Sequence, residues 1–443
     1  MRLRTLLIVL VLALLVPQAA SAAPGEITTF PLPAGATPEG IAAGPEGSLW
    51  FAERGLDRIG RVTPGGDVTE YPLPTANAQP SQIAAGADGN MWFTESRSGN
   101  VGRITPLGVV TEFQICDEYC APWGITAGPE GDVWVALAGS GEVARVTASG
   151  AITRFPLDVG ANTPAMIATG SDGNLWIADK GLVEEEPTIG QVVRLTPSGQ
   201  ATSFLVPTPV ENFRPTAIAA GPDGAIWFSG SGVGVGRVDT SGSFSEFPVP
   251  QWGESDAMTA GPDGDVWFAM SGGGAHDGWI DRITPDGHLT TYSVPYGSRG
   301  VTVGAEGDIW FTEWVEGKIG RLAPGASGLE VTAGRGTAHG ARVRVPLYCG
   351  GGSATGRCAG TLMLKASVKV TSGGPITHRR ITIGSAHYSL ADGTRGTVAV
   401  RLFRKRLKRA RHGSQVRTEA FARGSAGVGT RRAFDLSLPR IPG

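Results

Sequence analysis

Cysteines and long apolar segments are both scarce in this sequence. Only four of the 443 residues are cysteines, and they form two close pairs, Cys116/Cys120 and Cys349/Cys358. The two pairs lie too far apart along the chain to suggest one shared metal site. After residue 22 no segment is apolar enough to cross a bilayer, which argues against a membrane span in the rest of the chain.

The one marked apolar run lies at the N-terminus. Arg2 and Arg4 precede the run Leu6 to Val16, and Ala20-Ser21-Ala22 follows as a small-residue cleavage pattern. This order predicts a signal peptide over residues 1–22 and a chain that is secreted or associated with the cell envelope. A membrane anchor is the alternative, although the run is short for a bilayer span. In an exported chain we expect each cysteine pair to close a disulfide rather than stay as free thiols.

The net charge of −2 conceals two regions of opposite sign. From Gly328 onward there are 21 Lys and Arg against 4 Asp and Glu, so this region carries +17. Before it, 17 basic residues face 36 acidic ones, which gives −19. An acidic body with a basic C-terminal region predicts either attraction between the two or separate partners for each.

A repeat of about 43 residues organises the chain up to residue 325. Seven copies of a segment of the form Gly-x-hydrophobic-Trp are spaced by 42, 42, 42, 51, 40 and 43 residues; their tryptophans are Trp50, Trp92, Trp134, Trp176, Trp227, Trp267 and Trp310. In each copy, turns rich in Gly and Pro separate four short apolar segments, here named A to D in chain order. Four strands per repeat predict the blade of a β-propeller, and seven copies predict seven blades.

The two ends of the repeat region predict how the ring closes. The seventh copy ends at about Pro324 without a clear D strand, whereas the chain begins with a spare one, Ile27 to Pro33. We expect this N-terminal strand to complete the last blade, because closure removes exposed sheet edges. The domains are then a signal peptide (1–22), a seven-bladed propeller (23–327) and a basic C-terminal domain (328–443).

The C-terminal domain has a different pattern. Period-two alternation and Gly-rich turns predict a small all-β fold, a β-sandwich for which an immunoglobulin-like arrangement is one option. The expected strands are Ala341–Tyr348, Gly360–Val370, Ile376–Tyr388, Gly396–Phe403, Gln415–Ala422 and Arg431–Leu438. It loosely resembles the basic β-sandwich tails of some bacterial exported proteins.

Residues that recur in every blade are expected to serve packing. This applies to the seven repeat tryptophans and to an arginine in each C strand. Function is expected instead on loops that differ between blades. The D-to-A and B-to-C loops vary in length and content and share one end of the blades, so we place a site there, near the central channel.

Aromatic, acidic and basic residues concentrate at this end. The candidate ligand-binding residues are Trp123, Trp314, Glu39, Glu53, Glu95, Asp256, Arg299 and His276. Such a rim suits stacking of a sugar or peptide, or binding of a cation. The alternative is that the aromatics cap loops and the acids keep the surface soluble. A lone histidine such as His276 is more often an ordinary loop residue than a base or ligand.

The repeat resembles the streptogramin lyase (virginiamycin B lyase) family. The resemblance rests on segments such as Gly44-Pro45-Glu46-Gly47, Leu49-Trp50-Phe51-Ala52-Glu53 and Ile59-Gly60-Arg61-Val62-Thr63, and it covers residues 26 to 325. It implies a seven-bladed propeller that opens a cyclic depsipeptide by elimination at an ester, with Mg²⁺ as cofactor (Ca²⁺ being the other cation that such a site would suit). The implied working residues are histidines just after the proline that enters strand A, a glutamate shortly before one of them, and a glutamate that ends a strand B.

This sequence departs from that pattern at the histidines. The seven positions just after the start of strand A are Glu39, Ser81, Trp123, Ala165, Thr216, Asp256 and Arg299, and none is histidine. Only the strand B glutamate of the last blade is kept, as Glu313, which is therefore the one candidate catalytic residue.

Three functions follow as hypotheses. The first is a monomeric binding propeller for a glycan, peptide or small molecule. The second is an enzyme, either a lyase with a relocated base or a hydrolase. The third is a tether in which the basic domain holds an anionic cell-wall polymer, and it is compatible with the first. Nucleic acid is disfavoured as a partner, because the basic run 401–411 lacks interleaved aromatics beyond Phe403.

Overall fold

The structure, a computed structural model, describes residues 26–117, 119–157, 163–181, 190–207, 213–231, 234–249, 253–272 and 278–323, and beyond them the backbone of seven C-terminal strands. The predicted signal peptide therefore lies outside the described residues. Seven antiparallel sheets form the blades: six have four strands each, and that of blade 6 has its four blade strands followed by the C-terminal strands. The predicted seven-bladed propeller is confirmed.

The strand bounds follow the repeat. An initial strand β1 spans Ile27–Pro31. Blade 1 contains β2 (Pro38–Ala43), β3 (Leu49–Glu53), β4 (Arg58–Val62) and β5 (Val68–Pro72), with a short 3₁₀ turn at Pro45–Gly47. Blade 2 contains β6 (Pro80–Ala85), β7 (Met91–Glu95), β8 (Asn100–Ile104) and β9 (Val110–Gln114). Blade 3 contains β10 (Pro122–Ala127), β11 (Val133–Leu137), β12 (Glu142–Val146) and β13 (Ile152–Pro156).

The remaining blades have the same order. Blade 4 contains β14 (Pro164–Thr169), β15 (Leu175–Asp179), β16 (Gln191–Leu195) and β17 (Ala201–Leu205). Blade 5 contains β18 (Arg214–Ala220), β19 (Ile226–Ser231), β20 (Val235–Val238) and β21 (Phe244–Phe247). Blade 6 contains β22 (Gly253–Ala260), β23 (Val266–Gly272), β24 (Gly278–Ile283) and β25 (Leu289–Val294). Blade 7 contains β26 (Val301–Val303), β27 (Ile309–Glu313) and β28 (Lys318–Leu322).

The N-terminal strand closes the ring. β1 pairs antiparallel with β28, with Ile27 opposite Leu322 and Pro31 opposite Lys318. The side chains repeat the arrangement of the other blades, since Phe30 stacks on Trp310 with ring centroids 5.4 Å apart. The expected closure is therefore confirmed, and the inner strand of blade 1 contacts both inner strands β6 and β26.

The repeat tryptophans fill the spaces between blades. All seven are buried, and each stacks on a Phe or Tyr of a D strand at 5.2–5.6 Å. The C-strand arginines of six blades lie over these rings, as Arg103 does over Trp92 at 5.5 Å. Recurrent residues thus serve packing, and each aromatic pair adds about 0.5–1.5 kcal/mol beyond its burial.

The C-terminal region contains seven further strands. They are β29 (Ala338–His339), β30 (Arg342–Tyr348), β31 (Arg357–Val370), β32 (Thr377–Ala391), β33 (Arg395–Leu402), β34 (Val416–Gly424) and β35 (Gly429–Leu436). They form one antiparallel ladder that extends blade 6, because β35 pairs with β25 over Leu289–Thr291. The six strands expected from the sequence occur with shifted ends, while the sandwich arrangement and the boundary at residue 328 stay predictions.

Among the described residues, no helix is both long and apolar enough to span a bilayer.

Candidate functional site

A change of register near the start of the inner strand presents side chains to the channel. In blades 1 to 6 the pairing of strands A and B shifts just after strand A begins, as between Pro38 and Ile41 in blade 1. Such a bulge re-aims the residues within it. The bulged positions include Glu39, Trp123 and Asp256, three of the residues that the sequence suggested.

Glycine beside these residues permits the inner strands to approach closely. A Cβ on Gly300 would lie 2.5 Å from the carbonyl oxygen of Glu39, and one on Gly124 would lie 2.6 Å from that of Ala165. Only a residue without a side chain fits at such distances. The narrow part of the ring is therefore fixed by backbone contact between neighbouring blades.

Two buried threonines connect inner strands of neighbouring blades at the bulges. The Thr312 hydroxyl accepts from the Gly300 amide at 2.9 Å and donates to the Glu39 carbonyl at 2.8 Å. The Thr94 hydroxyl likewise accepts from the Gln82 amide at 3.1 Å and donates to the Trp123 carbonyl at 2.7 Å. These buried bonds hold the backbones of Glu39 and Trp123 in place.

Glu39 anchors two arginines. Its buried Oε1 accepts from Nη1 of Arg299 at 2.6 Å and lies 3.5 Å from Nη1 of Arg54. The Arg299 guanidinium lies 4.2 Å from the centroid of the Trp314 ring, and that of Arg54 lies 5.7 Å from the centroid of the Trp123 ring. A buried carboxylate and two aromatic faces thus orient both cations. We call Glu39, Arg54, Trp123, Asp256, Arg299 and Trp314 the mouth cluster.

The mouth cluster lies at the axis of the ring, since its contacts skip whole blades. Arg54 follows strand B of blade 1 and reaches Trp123 of blade 3, across blade 2. Asp256 of blade 6 interacts electrostatically with Lys180, which follows strand B of blade 4, and with Glu39 of blade 1. Residues of non-adjacent blades can meet only where the inner strands converge. Five of the eight ligand-binding candidates are therefore brought together there.

Asp256 has a shifted protonation equilibrium. Burial raises the pKa of this carboxyl from 3.8 to about 6, against the lowering effect of Arg299 and Lys180. Glu254 and Glu39 add smaller raising effects. A carboxyl with a pKa near neutrality at the mouth of a channel is able to exchange protons under physiological conditions.

Glu53 and Glu95 lie away from this cluster. Both end a strand B and are fully buried on the faces of their blades that also carry Phe51 and Phe93. Burial and the Glu70 carboxylate raise the pKa of Glu53 to about 8. Burial is also the main cause that raises the pKa of Glu95 to about 7, although Ser98 donates to it at 2.6 Å. Each faces its own blade's D strand rather than the channel.

The candidate catalytic residue Glu313 has a similar position in blade 7. Its side chain is fully buried, and burial raises its pKa, while Lys318 lowers it and Glu316 raises it. Neither carboxyl oxygen has a hydrogen-bond partner among the described residues. Its neighbour Trp314, one residue later, points to the mouth instead.

The disulfide prediction for the first cysteine pair is confirmed. Cys116 and Cys120 are joined, with Cα atoms 6.2 Å apart. The bridge closes the D-to-A loop directly before β10 and thus lies close to Trp123. His276, Cys349 and the side chain of Cys358 lie outside the described residues.

The residues present do not fit the cation that the resemblance implies. A magnesium or calcium ion takes several oxygen ligands, mostly carboxylates. Within the described ranges, no three His, Cys, Asp or Glu side chains converge in a way that could hold a metal. At the mouth, the Glu39 carboxylate is already engaged by Arg299 and Arg54 and is not free to ligate a cation.

Sequence reasoning missed Arg54 and Lys180. Both immediately follow the carboxylate that ends a strand B, the position that Trp314 holds in blade 7. Successive residues of a strand face opposite ways. Glu53 shares the face of Phe51, which packs against blade 7, so residue 54 is directed toward blade 2. This alternation could have identified both cations.

The fold and the mouth cluster define a seven-bladed β-propeller with a polar site at one end of its central channel. This chain belongs to the virginiamycin B lyase family, whose sequence profile matches residues 21–184 and 179–332. No curated protein sequence matches the chain.

Solved structures show the same likeness. A streptogramin B lyase structure is 29% identical, covers 67% of this chain and 97% of its own, and superimposes with a TM-score of 0.61. Virginiamycin B lyase from Staphylococcus aureus is 32% identical over 67% of this chain and 98% of its own, with a TM-score of 0.60. A catalytically inactive histidine-to-alanine variant of that enzyme with quinupristin is 30% identical, with the same coverage and a TM-score of 0.59.

Proposed function

We propose that this protein is an exported propeller that binds a glycan, peptide or small molecule at the mouth cluster. The observation that carries the proposal is the placement of Arg299, which is held between the buried Glu39 carboxylate and the Trp314 ring at the axis of the ring. Arg299 and Trp314 are both partly exposed, so a ligand can reach them. Groups preoriented in this way bind with a smaller loss of conformational entropy.

The family's chemistry is not carried over, because its histidine positions hold other residues in this chain. The inactive variant of the Staphylococcus aureus enzyme is a histidine substitution, which supports the view that histidine matters in that protein. A propeller that retains the fold but not this residue type is better suited to binding than to elimination.

A panel of glycans and short peptides tests the proposal. The mature chain is here residues 23–443, the product that cleavage of the proposed signal peptide would leave. Its binding is compared with that of Trp123→Ala, Trp314→Ala and, as a control, Arg97→Gln, which changes an exposed residue of the same face. We expect the two tryptophan variants to weaken binding of a panel member at least about tenfold, a loss of about 1.4 kcal/mol, while the control binds normally. Unchanged binding by both tryptophan variants would show that the face is wrongly assigned.

One observation favours a second candidate, a lyase or hydrolase with a relocated base. Asp256 occupies the bulge of blade 6, one of the positions at which the resemblance implies histidine, and its pKa is raised to about 6. A carboxylate with this pKa is a competent general base at neutral pH. This candidate requires that turnover of some ester or glycoside be lost in Asp256→Asn while ligand binding persists.

We further propose that the C-terminal region tethers the protein to an anionic cell-wall polymer. Its charge of +17 supports this, whereas the propeller should be repelled by such polymers. Retention on an anionic wall polymer at rising salt is compared for the mature chain, residues 23–327 and residues 328–443. The tether requires salt-sensitive retention of the full chain and the C-terminal fragment, but not of the propeller. If the full chain does not bind the polymer although residues 328–443 alone do, the C-terminal region is occupied by its own propeller.

A further inference from the structure

The arginines of the mouth cluster retain unused hydrogen-bonding capacity. A guanidinium offers five N–H donors. Among the described residues, Arg299 uses Nη1 on Glu39, while Arg54 uses Nη2 on Gln79 at 2.9 Å and directs Nη1 toward Glu39. About 30% of each side chain remains exposed, 29% for Arg299 and 32% for Arg54. Both side chains are therefore partly exposed and keep N–H groups that have no partner among the described residues.

The arginines are held rigidly, which suits recognition rather than solubility. Gln79, the partner of Arg54, lies in the left-handed region with φ 52°. Its amide donates to Oδ1 of Asp57 at 2.9 Å, and the Asn77 amide donates to Oδ2 at 2.7 Å. A strained loop stabilised by such a hydrogen-bond network is typical of binding sites.

The charges of the mouth leave one positive charge uncompensated. Four basic groups lie there: Arg54, Arg299, Lys180 and Arg214, whose Nε donates to the Lys180 carbonyl at 3.3 Å. They outnumber three carboxylates, those of Glu39, Asp256 and the exposed Glu254. Trp314 is already covered on one face by Arg299, so it is less available for stacking a neutral sugar than the sequence suggested. A monoanion matches this charge better than a dianion does.

We propose that the mouth cluster recognises a carboxylate on its ligand, with Arg299 as the principal donor and Arg54 as the second. The Nη1 atoms of both guanidiniums lie within 3.5 Å of the same Glu39 oxygen, so the two side chains are close enough to bind the two oxygens of one carboxylate with their other N–H groups. The substrate class is therefore an acidic ligand such as a uronic-acid unit of a glycan or a peptide with a free carboxylate. This inference rests on the proposed function of the same site and specifies its ligand.

Protonation of Asp256 should strengthen this binding. Asp256 is faced by Arg299, Lys180, Glu254 and Glu39. Below its pKa it loses its negative charge, so the attraction of the mouth for an anion increases. Affinity for a carboxylate that stays ionised should therefore fall as the pH rises through about 6, and Asp256→Asn should remove this dependence.

Saturation-transfer NMR with the mature chain tests the proposal, with D-glucuronate and D-glucose as matched probes. We expect saturation transfer to glucuronate and little to glucose. The glucuronate signal should fall at least about fivefold in Arg299→Gln and be unchanged in the control Arg97→Gln, which removes one charge from the same face. The same change in both variants would mean general attraction to positive charge and would overturn the proposal.

The other outcomes separate this inference from the proposed function. Equal signals from glucose and glucuronate, both lost in Trp123→Ala, would keep the mouth as the binding site but overturn carboxylate recognition. Displacement of glucuronate by equimolar inorganic phosphate, with acetate ineffective, would also overturn it in favour of a phosphate site. If neither sugar nor any member of the glycan and peptide panel responds to the mouth variants, both ideas fail. Circular dichroism of each variant checks that the propeller has folded.

Discussion

Arg299 donates from Nη1 to Oε1 of Glu39 at 2.6 Å, although 260 positions separate the two residues in the sequence. They meet because blade 7 closes against blade 1. The same joint carries the bond from the Thr312 hydroxyl to the Glu39 carbonyl. The joint that closes the ring therefore also brings Glu39 and Arg299 of the mouth cluster together, and variants at this joint should report on both.

Replacement of Glu39 should reduce stability. Glu39→Gln removes the buried negative charge that Arg299 and Arg54 share. The two guanidiniums then repel each other without a carboxylate between them. We expect a loss of about 1–3 kcal/mol in the free energy of unfolding, measured by urea denaturation. Glu306→Gln, at an exposed position in the A-to-B turn of blade 7, is the control and should change stability by less than about 0.5 kcal/mol. Equal effects of the two variants would contradict the anchoring role of Glu39.

A methyl group at Gly300 should strain the joint between blades 7 and 1. The Cβ of Gly300→Ala would lie 2.5 Å from the Glu39 carbonyl oxygen, so the inner strands must separate. We expect a lower melting temperature and a cost of about 1–3 kcal/mol. At Gly65 the nearest atom to an added Cβ would be 3.7 Å away, and Gly65→Ala should be tolerated. If the two variants have the same melting temperature, the close approach of Gly300 to the Glu39 carbonyl does not constrain the protein in solution.

Glu53 should make the propeller less stable in alkaline solution. Its pKa rises from an ordinary 4.5 to about 8 on folding, so between these values the folded state binds more protons than the unfolded state. Its contribution is fully present below about pH 4.5 and is lost as the pH rises through about 8. The size is on the order of a few kcal/mol.

Thermal melting from pH 4 to 9 measures this effect. Glu53→Gln cannot ionise and should flatten the profile, melting above the parent protein near pH 9. Glu46→Gln serves as control, because Glu46 is exposed and far from this carboxyl pair. If the melting temperatures of Glu53→Gln and the parent protein depend on pH in the same way, burial of this carboxyl in an uncharged form is contradicted.

The purified mature chain with Mg²⁺ should not open a streptogramin above background. None of the seven positions just after the start of strand A is histidine, so the base that the resemblance implies is missing. Ring opening is followed by mass spectrometry, with an authentic streptogramin lyase as positive control. Clear turnover by this protein that is lost in Glu313→Gln would contradict the prediction and support an enzyme.

The sequence was sufficient for the fold because the repeat is local and periodic. Trp spacing, turn glycines and the spare strand at Ile27 determine blade number and closure without knowledge of distant contacts. The sequence predicted the site only in part. Position in the repeat placed Glu39, Trp123 and Arg299 at one end of the ring, but not in contact.

Side-chain direction at the ends of strand B was the main gap. Glu53 and Glu95 were expected at the channel, whereas alternation places them on the buried blade faces of Phe51 and Phe93 and places Arg54 on the opposite face, from which it reaches Trp123. The pairing of Arg54 with Trp123 depends on ring curvature across a whole blade, which no local pattern encodes. For this reason an aromatic and acidic rim was expected where the structure has a cluster with partly exposed arginines.

Hydrogen exchange with the first panel compound found to bind tests the central claim most directly. Amide exchange is measured by mass spectrometry on the mature chain, with and without the compound. We predict slower exchange in the segments that carry the mouth cluster, 38–43, 115–125 and 298–303, and no change in the C-to-D hairpins at 63–67 and 105–109 on the opposite end. Protection confined to those hairpins or to the C-terminal strands would contradict a ligand site at the mouth of the channel.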